Sequence, residues 1–393
     1  MKKKTVTILG STGSVGKQAL EVCRDLDFSV FGLSCESNIA LLEEQIRAFR
    51  PRYAAVCDEK SAKLLSVAVA DTSTRVLSGK EGVCELASMQ EPDLVENSIL
   101  GSAGILPTLS AIEAGKDLAV ANKEPIVAAG EILLARAREK KIHFLPVDSE
   151  HSAVFQCLSG SFNSGRFVDE LVLTASGGPF FGKDSAFLQT VTPAMAIAHP
   201  TWNMGKKISV DSASLLNKGL EIIEASRLFD IPADRIRVTV HRQSIVHSMV
   251  TFCDGSTLAQ MGHPDMRHCV QFAFTYPERV PGLCRKMDFS QSYHLTFEPA
   301  DEKTFPLLAV SRRAAMKGGT YPTVLNAANE AAVRLFLEEK ITFPELFEIV
   351  SNAVESHTAL ADPDVPAILD LDREVKERIL CRFGYSAEER NVK

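Results

Sequence analysis

The chain has 393 residues, of which 45% are hydrophobic and 24% are charged, a composition typical of a globular protein with two or three domains. Its formal net charge of -7 gives no electrostatic reason to expect binding to nucleic acid or to an anionic membrane. No stretch approaches the roughly 20 apolar residues of a membrane span. The nine cysteines lack zinc-site or redox spacing, which favours reduced thiols in a cytoplasmic protein.

The first part of the chain, from Thr5 to Val147, alternates short apolar runs with segments of helical period. This alternation predicts an α/β fold over residues 1–147, a Rossmann-like domain with a parallel sheet and helices on both faces. Residues 40–49 and 131–140 are predicted helices. The predicted strands are Val6–Leu9, Ser29–Leu33, Ala54–Cys57, Leu94–Glu96, Leu118–Val120 and His143–Val147.

Three glycines in the pattern G-x-x-G-x-x-G run from Gly10 to Gly16, directly after the first predicted strand and at the start of a helix. Glycines let the backbone turn tightly and approach a pyrophosphate, whose charge then lies against helix amides. The segment therefore predicts a dinucleotide site. Glu36 lies about 20 residues further on, where a carboxylate normally binds the ribose hydroxyl of NAD. Alternatively, Glu36 faces solvent while Ser37, Asn38 and nearby amides accept the 2′-phosphate of NADP.

The remainder of the chain is predicted to form an α+β domain followed by helices. Residues 148–281 contain strand-like runs at Leu171–Thr174, Val238–Val240 and Ser248–Phe252, which suits a catalytic and substrate-binding domain. Residues 282–303 are rich in turn formers and are predicted to form an extended connector. From residue 304 to 393 the pattern is helical and predicts a C-terminal helical bundle.

Two acidic residues, Asp148 and Glu150, follow the strand that ends at Val147. Open α/β sheets bind their ligands at the carboxyl ends of parallel strands. Carboxylate oxygens suit a hard cation such as Mg²⁺ or Mn²⁺ rather than zinc. A third candidate ligand, Glu221, lies far downstream.

Glu221 belongs to the stretch from Ser209 to Ile223, whose spacing predicts a helix with a possible cap at Asp211 or Ser212. One face of this helix would carry Ser214, Asn217, Lys218 and Glu221. Two interpretations remain open, because an amphipathic helix with a solvated polar face has the same spacing as a ligand-binding helix.

Three further segments are candidates for ligand binding. Ser176–Gly178 is a turn of small residues after a strand, and Lys123 follows the strand that ends at Val120. Each also has a plain structural or surface interpretation. Trp202, the only tryptophan, lies in a loop bounded by proline and glycine, where it is either a core residue or part of a flap that covers a ligand. His151 and the other histidines outside this loop are predicted to be structural or surface residues.

Six separated segments together resemble the 1-deoxy-D-xylulose 5-phosphate reductoisomerase family across essentially the whole chain. They are residues 10–16, 118–124, 146–152, 176–180, 199–205 and 207–221. The resemblance implies a cytoplasmic homodimer that binds NADPH, Mg²⁺ or Mn²⁺, and a sugar phosphate. It implies a metal-dependent skeletal rearrangement followed by reduction with NADPH to 2-C-methyl-D-erythritol 4-phosphate, in the non-mevalonate (MEP) pathway of isoprenoid precursor synthesis.

The resemblance also implies roles for the matching residues. The metal ligands would be Asp148, Glu150 and Glu221, and the catalytic set adds Lys123 and His199. The substrate phosphate would be bound by Ser176, Ser212, Asn217 and Lys218. The rest of the substrate would meet Lys123, Ser149, Glu150, His199, Trp202 and Glu221, with Trp202 on the flap. NADPH would contact Thr12, Gly13, Ser14, Val15, Ser37, Asn38, Asn122, Glu124, Met204 and Gly205.

The chain departs from the family pattern at three places. Glu36-Ser37 stands where the family usually has a glycine followed by Lys, Arg or Ser, so the expected cation for a 2′-phosphate is missing. His241–Gln243 and Gly262–Pro264 replace residues that are commonly proline, away from the predicted metal. Two rival functions are a metal-independent dehydrogenase in which Lys123 handles protons, and a nucleotide sensor without activity. The three carboxylates and the phosphate set favour the reductoisomerase.

Overall fold

The computed structural model describes residues 3–159, 164–198 and 204–386. The chain divides into two units: the first comprises Met1–Pro125, Glu131–Ser152 and Asp265–Lys286, and the second comprises Ile126–Gly130, Ala153–Pro264 and Met287–Lys393. None of the helices within the described ranges has the length and apolar character of a membrane span.

A seven-stranded parallel sheet forms the centre of the first unit, with the strand order β4-β3-β2-β1-β5-β6-β7. Its strands are β1 Thr5–Leu9, β2 Ser29–Cys35, β3 Tyr53–Val56, β4 Arg75–Ser78, β5 Leu94–Asn97, β6 Asp117–Val120 and β7 Phe144–Pro146. The six predicted strands and the Rossmann-like sheet are confirmed. β4 is an additional edge strand whose half-exposed residues form no apolar run, so the sequence pattern gives no signal for it.

The connections between these strands are helices that cover both faces of the sheet. They are α1 Ser14–Asp25, α2 Ile39–Phe49, α3 Glu59–Ala68, α4 Gly79–Ser88, α5 Ile105–Glu113 and α6 Glu124–Lys140, followed by α7 Ser149–Ser159. Because crossovers between parallel strands are right-handed, α1 to α3 lie on one face and α4 and α5 on the other. A Cβ on Gly32 of β2 would lie 2.5 Å from Leu86 Cδ1, so glycine permits α4 to pack closely there.

The centre of the second unit is a five-stranded sheet with the order β11-β10-β8-β9-β12. Its strands are β8 Val168–Ala175, β9 Ile236–Val240, β10 Val246–Phe252, β11 Thr257–Met261 and β12 Glu298–Pro299. Only β8 and β9 pair in parallel. The three predicted strands are confirmed, and β11 and β12 are short or exposed strands that have no alternating apolar pattern.

The helices between these strands and at the C-terminus complete the described structure. They are α8 Ser185–Leu188, α9 Pro193–Ile197, α10 Lys206–Ala213, α11 Leu216–Phe229, α12 Arg267–Thr275, α13 Leu307–Lys317, α14 Tyr321–Leu337, α15 Phe343–Glu355 and α16 Val365–Arg382. The predicted C-terminal helices are confirmed. Their boundaries follow proline and glycine, because Pro344 and Pro366 lie in the first turns of α15 and α16 and Gly318 ends α13.

The predicted cap at Asp211 or Ser212 is wrong, because the chain breaks between α10 and α11 and the helix that carries Glu221 begins at Leu216. Leu215 has a left-handed φ of 59°, and the Ser214 hydroxyl accepts a hydrogen bond from Leu216 N at 3.3 Å. Asp211 and Ser212 lie inside α10 and do not cap a helix. The buried Leu215 side chain joins the core, and burial of a leucine, about 1.5–3 kcal/mol, offsets the cost of about 1–2 kcal/mol for this backbone conformation.

The predicted connector after residue 282 is held partly by His241, one of the residues that depart from the family pattern. Its Nδ1 lies 2.8 Å from the Thr296 carbonyl, and its Nε2 accepts hydrogen bonds from the amides of Ile245 and Val246. The ring also stacks on Phe297, with 4.8 Å between ring centroids. His241 therefore has a structural role at this position.

Candidate active site

The glycine loop after β1 is shaped for close approach of a phosphate. Gly10 has a φ of 81°, and a Cβ there would lie 2.9 Å from the Ser98 carbonyl oxygen. A Cβ on Gly16 would lie 2.5 Å from the Gly10 oxygen, so neither position accepts a side chain without a shift of the backbone. Helix α1 begins at Ser14 without a side-chain cap on its first amides, which is the arrangement that helices use to bind anions.

The loop is held against the neighbouring strand and helix by buried hydrogen bonds. Gly10 N donates to the Ser34 hydroxyl at 3.0 Å, and Ser11 N donates to the Ser34 carbonyl at 2.8 Å. The Ser11 hydroxyl donates to Gln45 Oε1 at 2.7 Å. The candidate cofactor residues Thr12, Gly13, Ser14 and Val15 lie on the partly or fully exposed side of this loop.

The segment after β2 has an exposed carboxylate and a helix cap. Glu36 and Ser37 are exposed, as in the interpretation in which Glu36 faces solvent. Asn38 is the N-cap of α2, where its Oδ1 accepts a hydrogen bond from Leu41 N at 3.3 Å. Its side-chain oxygen is thus already engaged, and its carbonyl accepts a hydrogen bond from Leu42 N at 3.2 Å.

A buried ion pair lies at the carboxyl ends of β6 and β7. Lys123 Nζ is 2.9 Å from Asp148 Oδ2, and each side chain is 7% exposed. Burial acts to raise the pKa of Asp148, but the Lys123 ammonium and the neighbouring His151 hold that pKa well below its usual range. Asp148 is therefore a carboxylate at neutral pH, even though it is buried.

The first turn of α7 adds a second carboxylate beside Asp148. Glu150 N donates to Asp148 Oδ1 at 3.2 Å, and the Ser149 hydroxyl donates to Glu150 Oε2. The predicted residues Lys123, Asp148, Ser149 and Glu150 are thus brought together within the first unit. His151 Nδ1 lies 3.2 Å from Asp148 Oδ1.

A second cluster of polar side chains lies on the first turns of α11, within the second unit. The amide of Asn217 donates to Glu221 Oε1, and the Lys218 ammonium donates to Glu221 Oε2. The Lys218 and Glu221 side chains are 4% and 1% exposed. These residues are buried, so the interpretation of a solvated polar face is wrong. Burial of an ion pair is costly unless hydrogen bonds accompany it, and such sites are often functional.

The serine turn after β8 packs directly on the end of α10. Gly177 and Gly178 have φ values of 81° and 65°. A Cβ on Gly178 would lie 2.7 Å from the Ser212 carbonyl oxygen. Gly178 therefore places the turn that contains Ser176 against the backbone of Ser212, so that the two predicted phosphate residues lie on segments that pack together.

The other predicted residues are located as follows. Asn122 and the buried Glu124 flank Lys123, and Glu124 starts α6. Met204 and Gly205 precede α10, with Gly205 as its N-cap. His199 and Trp202 lie outside the described residues.

Several buried polar residues were not predicted as parts of a site. His151 was predicted to be a structural or surface residue, and it lies beside Asp148. It follows Asp148 by three positions at the start of a helix, and this spacing is the sequence signal that could have identified it. Asp211 is paired with Lys207 at 3.0 Å and accepts a hydrogen bond from Asn329 at 2.8 Å. That pairing spans more than 100 positions and has no local signal.

The fold and these polar groups define a nucleotide-binding α/β enzyme with a buried acidic centre. Family models match three parts of the chain: 1-deoxy-D-xylulose 5-phosphate reductoisomerase at residues 6–130, its C-terminal domain at 144–229, and a further DXP reductoisomerase C-terminal domain at 261–378. Proteins with the name 1-deoxy-D-xylulose 5-phosphate reductoisomerase are 49% identical in Caldanaerobacter subterraneus subsp. tengcongensis and 48% identical in Acetivibrio thermocellus. These matches cover 97% and 95% of this chain and 99% of each relative.

Solved structures give the same result. The reductoisomerase from Zymomonas mobilis in complex with NADPH is 37% identical with a TM-score of 0.90, covering 98% of this chain and 100% of that one. A DOX-P reductoisomerase in complex with NADPH, fosmidomycin and magnesium is 36% identical with a TM-score of 0.92, covering 97% and 98%. The chain belongs to the 1-deoxy-D-xylulose 5-phosphate reductoisomerase family.

Proposed function

We propose that this chain converts 1-deoxy-D-xylulose 5-phosphate to 2-C-methyl-D-erythritol 4-phosphate, with NADPH as reductant and Mg²⁺ or Mn²⁺ as the metal, for isoprenoid precursor synthesis. The observation that carries the proposal is the buried, ionised Asp148 beside Lys123, in a chain that matches reductoisomerases over nearly its full length. The structures of two relatives in complex with NADPH, one of which also contains magnesium, support the choice of cofactors.

Asp148, Glu150 and Glu221 are the proposed metal ligands. Their chemistry fits a hard cation, because all three offer carboxylate oxygens and the pKa of Asp148 is held low by its neighbours, so that it needs no deprotonation before binding. The cation, when bound, supplies a Lewis acid that polarises the ketone and stabilises negative charge on oxygen. Lys123 and Ser149 orient Asp148 and Glu150 for this role and contact the substrate chain.

The second unit supplies the proposed phosphate site. The turn that contains Ser176 packs on Ser212 through Gly178, and Asn217 and Lys218 lie on the first turn of α11. A phosphate bound by these groups would bring negative charge to the buried Lys218 ammonium, which is paired with Glu221. Binding energy from this non-reacting phosphate would hold the ketone in place, with His199 and Trp202 as further proposed substrate contacts.

The glycine loop is the proposed dinucleotide site. Gly10 and Gly16 let the loop turn tightly against its own backbone, where a Cβ would clash, and α1 begins there without a side-chain cap, which fits a pyrophosphate at the start of the helix. The proposed contacts are Thr12, Gly13, Ser14, Val15, Ser37, Asn38, Asn122, Glu124, Met204 and Gly205. We further propose that residues 1–147 bind NADPH, 148–281 form the catalytic domain, 282–303 are a connector and 304–393 are the C-terminal domain.

The decisive experiment follows oxidation of NADPH after addition of the ketose phosphate, with and without a chelator, and determines the carbon skeleton of the product by NMR. The expected result is a branched product that forms only with Mg²⁺ or Mn²⁺. A product with an unbranched skeleton, or full activity in the presence of chelator, would instead identify a simple dehydrogenase. NADPH binding without consumption would identify a sensor. The same assay with NADH tests the cofactor preference left open by Glu36.

A pair of matched variants tests the metal assignment. Glu150→Gln removes one carboxylate charge while it keeps the side-chain shape, and it is expected to lower kcat at least 100-fold with NADPH affinity retained. Glu139→Gln is the control, because Glu139 is an exposed surface residue paired with Arg136 on α6. Equal activity in the two variants would remove Glu150 from the metal site.

The proposed assembly is a cytoplasmic homodimer. The support is the family membership and the finding that no described helix suits a membrane span. Light scattering after size-exclusion chromatography is expected to give the mass of two chains. A mass of one chain at micromolar concentration would contradict the dimer.

A further inference from the structure

A buried carboxyl group lies in the middle of the dinucleotide-binding sheet, in a place that the proposed reaction does not use. Glu96 on β5 is fully buried, between Ile8 of β1 and Ala119 of β6 in the strand register. Its Oε2 is 3.2 Å from the hydroxyl of Ser98. Within the described ranges, its Oε1 accepts no hydrogen bond.

The hydroxyl of Ser98 links this carboxyl to the start of the glycine loop. Ser98 Oγ is also 2.9 Å from the carbonyl oxygen of Leu9, which ends β1 directly before Gly10. The Ser98 amide donates to the same carbonyl at 3.0 Å. The Ser98 carbonyl, in turn, lies where a Cβ on Gly10 would be. Ser98 therefore holds the backbone at the base of the loop.

The number of protons available on these groups favours one protonation state of Glu96. A hydroxyl has one proton, and a carbonyl has none to give. If Glu96 were ionised, the single Ser98 proton would have to be shared between Leu9 and Glu96, at 2.9 and 3.2 Å, in one three-centre hydrogen bond. If Glu96 carries a proton, it donates to Ser98 and Ser98 donates to Leu9, so that both contacts are hydrogen bonds.

The surroundings of Glu96 favour the same state. Burial raises its pKa to about 8, although the hydrogen bond from Ser98 acts in the opposite direction. The helices that pack on this part of the unit are α1 and α12, which pack against each other, and their buried titratable side chains are Cys23 and Cys269. Burial raises the pKa of both thiols, with a contribution from the Glu96 charge for Cys23, so they stay neutral. Among the described residues, no cation is an electrostatic partner of Glu96.

We propose that Glu96 is a positioning residue for NADPH: as a neutral acid it orders the base of the glycine loop through Ser98, and its ionisation weakens binding of the dinucleotide. This inference rests on the proposed function, because it assumes that the loop binds NADPH. The residue itself touches no ligand and acts through Ser98 and Leu9.

The test compares the wild type with Glu96→Gln, whose amide donates to Ser98 at every pH but cannot ionise. The dissociation constant for NADPH is measured by fluorescence from pH 7 to pH 9. The dissociation constant of the wild type is divided by that of the variant at each pH, so that the effect of titration of NADPH itself cancels. The ratio is expected to rise about tenfold, equivalent to about 1.4 kcal/mol. A ratio that is constant across this range overturns the proposal. Ser98→Ala, which removes the link, is expected to weaken binding already at pH 7.

A second measurement does not depend on NADPH binding. Amide hydrogen exchange of residues 6–16 is compared between the wild type and Glu96→Gln in the cofactor-free protein at each pH. Faster exchange of the wild type only above pH 8 supports the role of Glu96, and equal exchange at all pH values refutes it. A protein that shows this difference yet binds no NADPH would contradict the proposed function and leave the loop mechanism standing.

Discussion

The turn that contains Ser176 allows a sharp test of the phosphate site, because two of its glycines have similar backbone conformations but different surroundings. Gly178 and Gly182 have left-handed φ values of 65° and 74°. A Cβ on Gly178 would be 2.7 Å from the Ser212 carbonyl oxygen, whereas a Cβ on Gly182 would have no atom within 4 Å. Alanine at either position has the same backbone cost, but only Gly178→Ala displaces Ser212.

The expected magnitudes follow from these distances. Alanine in the left-handed region costs about 1–2 kcal/mol, and this is the whole effect expected for Gly182→Ala. Gly178→Ala adds a clash with backbone, for which overpacking costs of about 1–3 kcal/mol are typical. We expect a loss of about 2–5 kcal/mol in the free energy of unfolding for Gly178→Ala, with Ser212 and Ser176 moved apart by several tenths of an ångström.

Urea denaturation measures the stability of the two variants, and steady-state kinetics measures their activity. If Ser176 and Ser212 bind the substrate phosphate, Gly178→Ala should raise KM for the ketose phosphate about tenfold or more, while Gly182→Ala leaves KM unchanged. KM for NADPH is the internal control in both. If the two variants have the same KM for the ketose phosphate, the reasoning that links this turn to the phosphate site is refuted.

Two further predictions concern stability and packing. Because the pKa of Glu96 rises from 4.5 to about 8 on folding, the folded state holds the proton more tightly, so stability should fall as pH rises from 4.5 to 8 and then level off. At about 1.4 kcal/mol for each pH unit, the loss in the free energy of unfolding approaches 5 kcal/mol. Glu96→Gln should remove this part of the pH dependence in thermal denaturation. Parallel curves of stability against pH for the two proteins would contradict the prediction. On α11, a Cβ on Gly219 would lie 2.2 Å from Ser311 Oγ and 2.6 Å from Ser311 Cβ, so Gly219→Ala should push α11 from α13 and destabilise the protein by about 1–3 kcal/mol. Ser311→Gly in the same chain should recover part of that loss, and no recovery would show that the strain lies elsewhere.

The sequence alone determined the fold class and most of the elements, because their signals are local. Short runs of three to five residues, separated by helical segments, predicted the parallel sheet, and the glycine pattern predicted the loop after β1. Proline and glycine set the ends of α13, α15 and α16. The motifs that resemble the reductoisomerase family are likewise continuous stretches, so they needed no structure. The edge strand β4 was not predicted, because its residues are half exposed and form no apolar run.

The tertiary structure decided which polar groups meet and in what charge state. No glycine marks the break at Leu215 in the sequence, and core packing stabilises this break. Lys123 reaches Asp148 across 25 positions, and Glu96 becomes a neutral acid only because the sheet and its covering helices exclude water. Backbone periodicity depends on residues that are close together in the sequence. A pKa or an ion pair depends on distance and solvent exclusion, which exist only once the chain has folded.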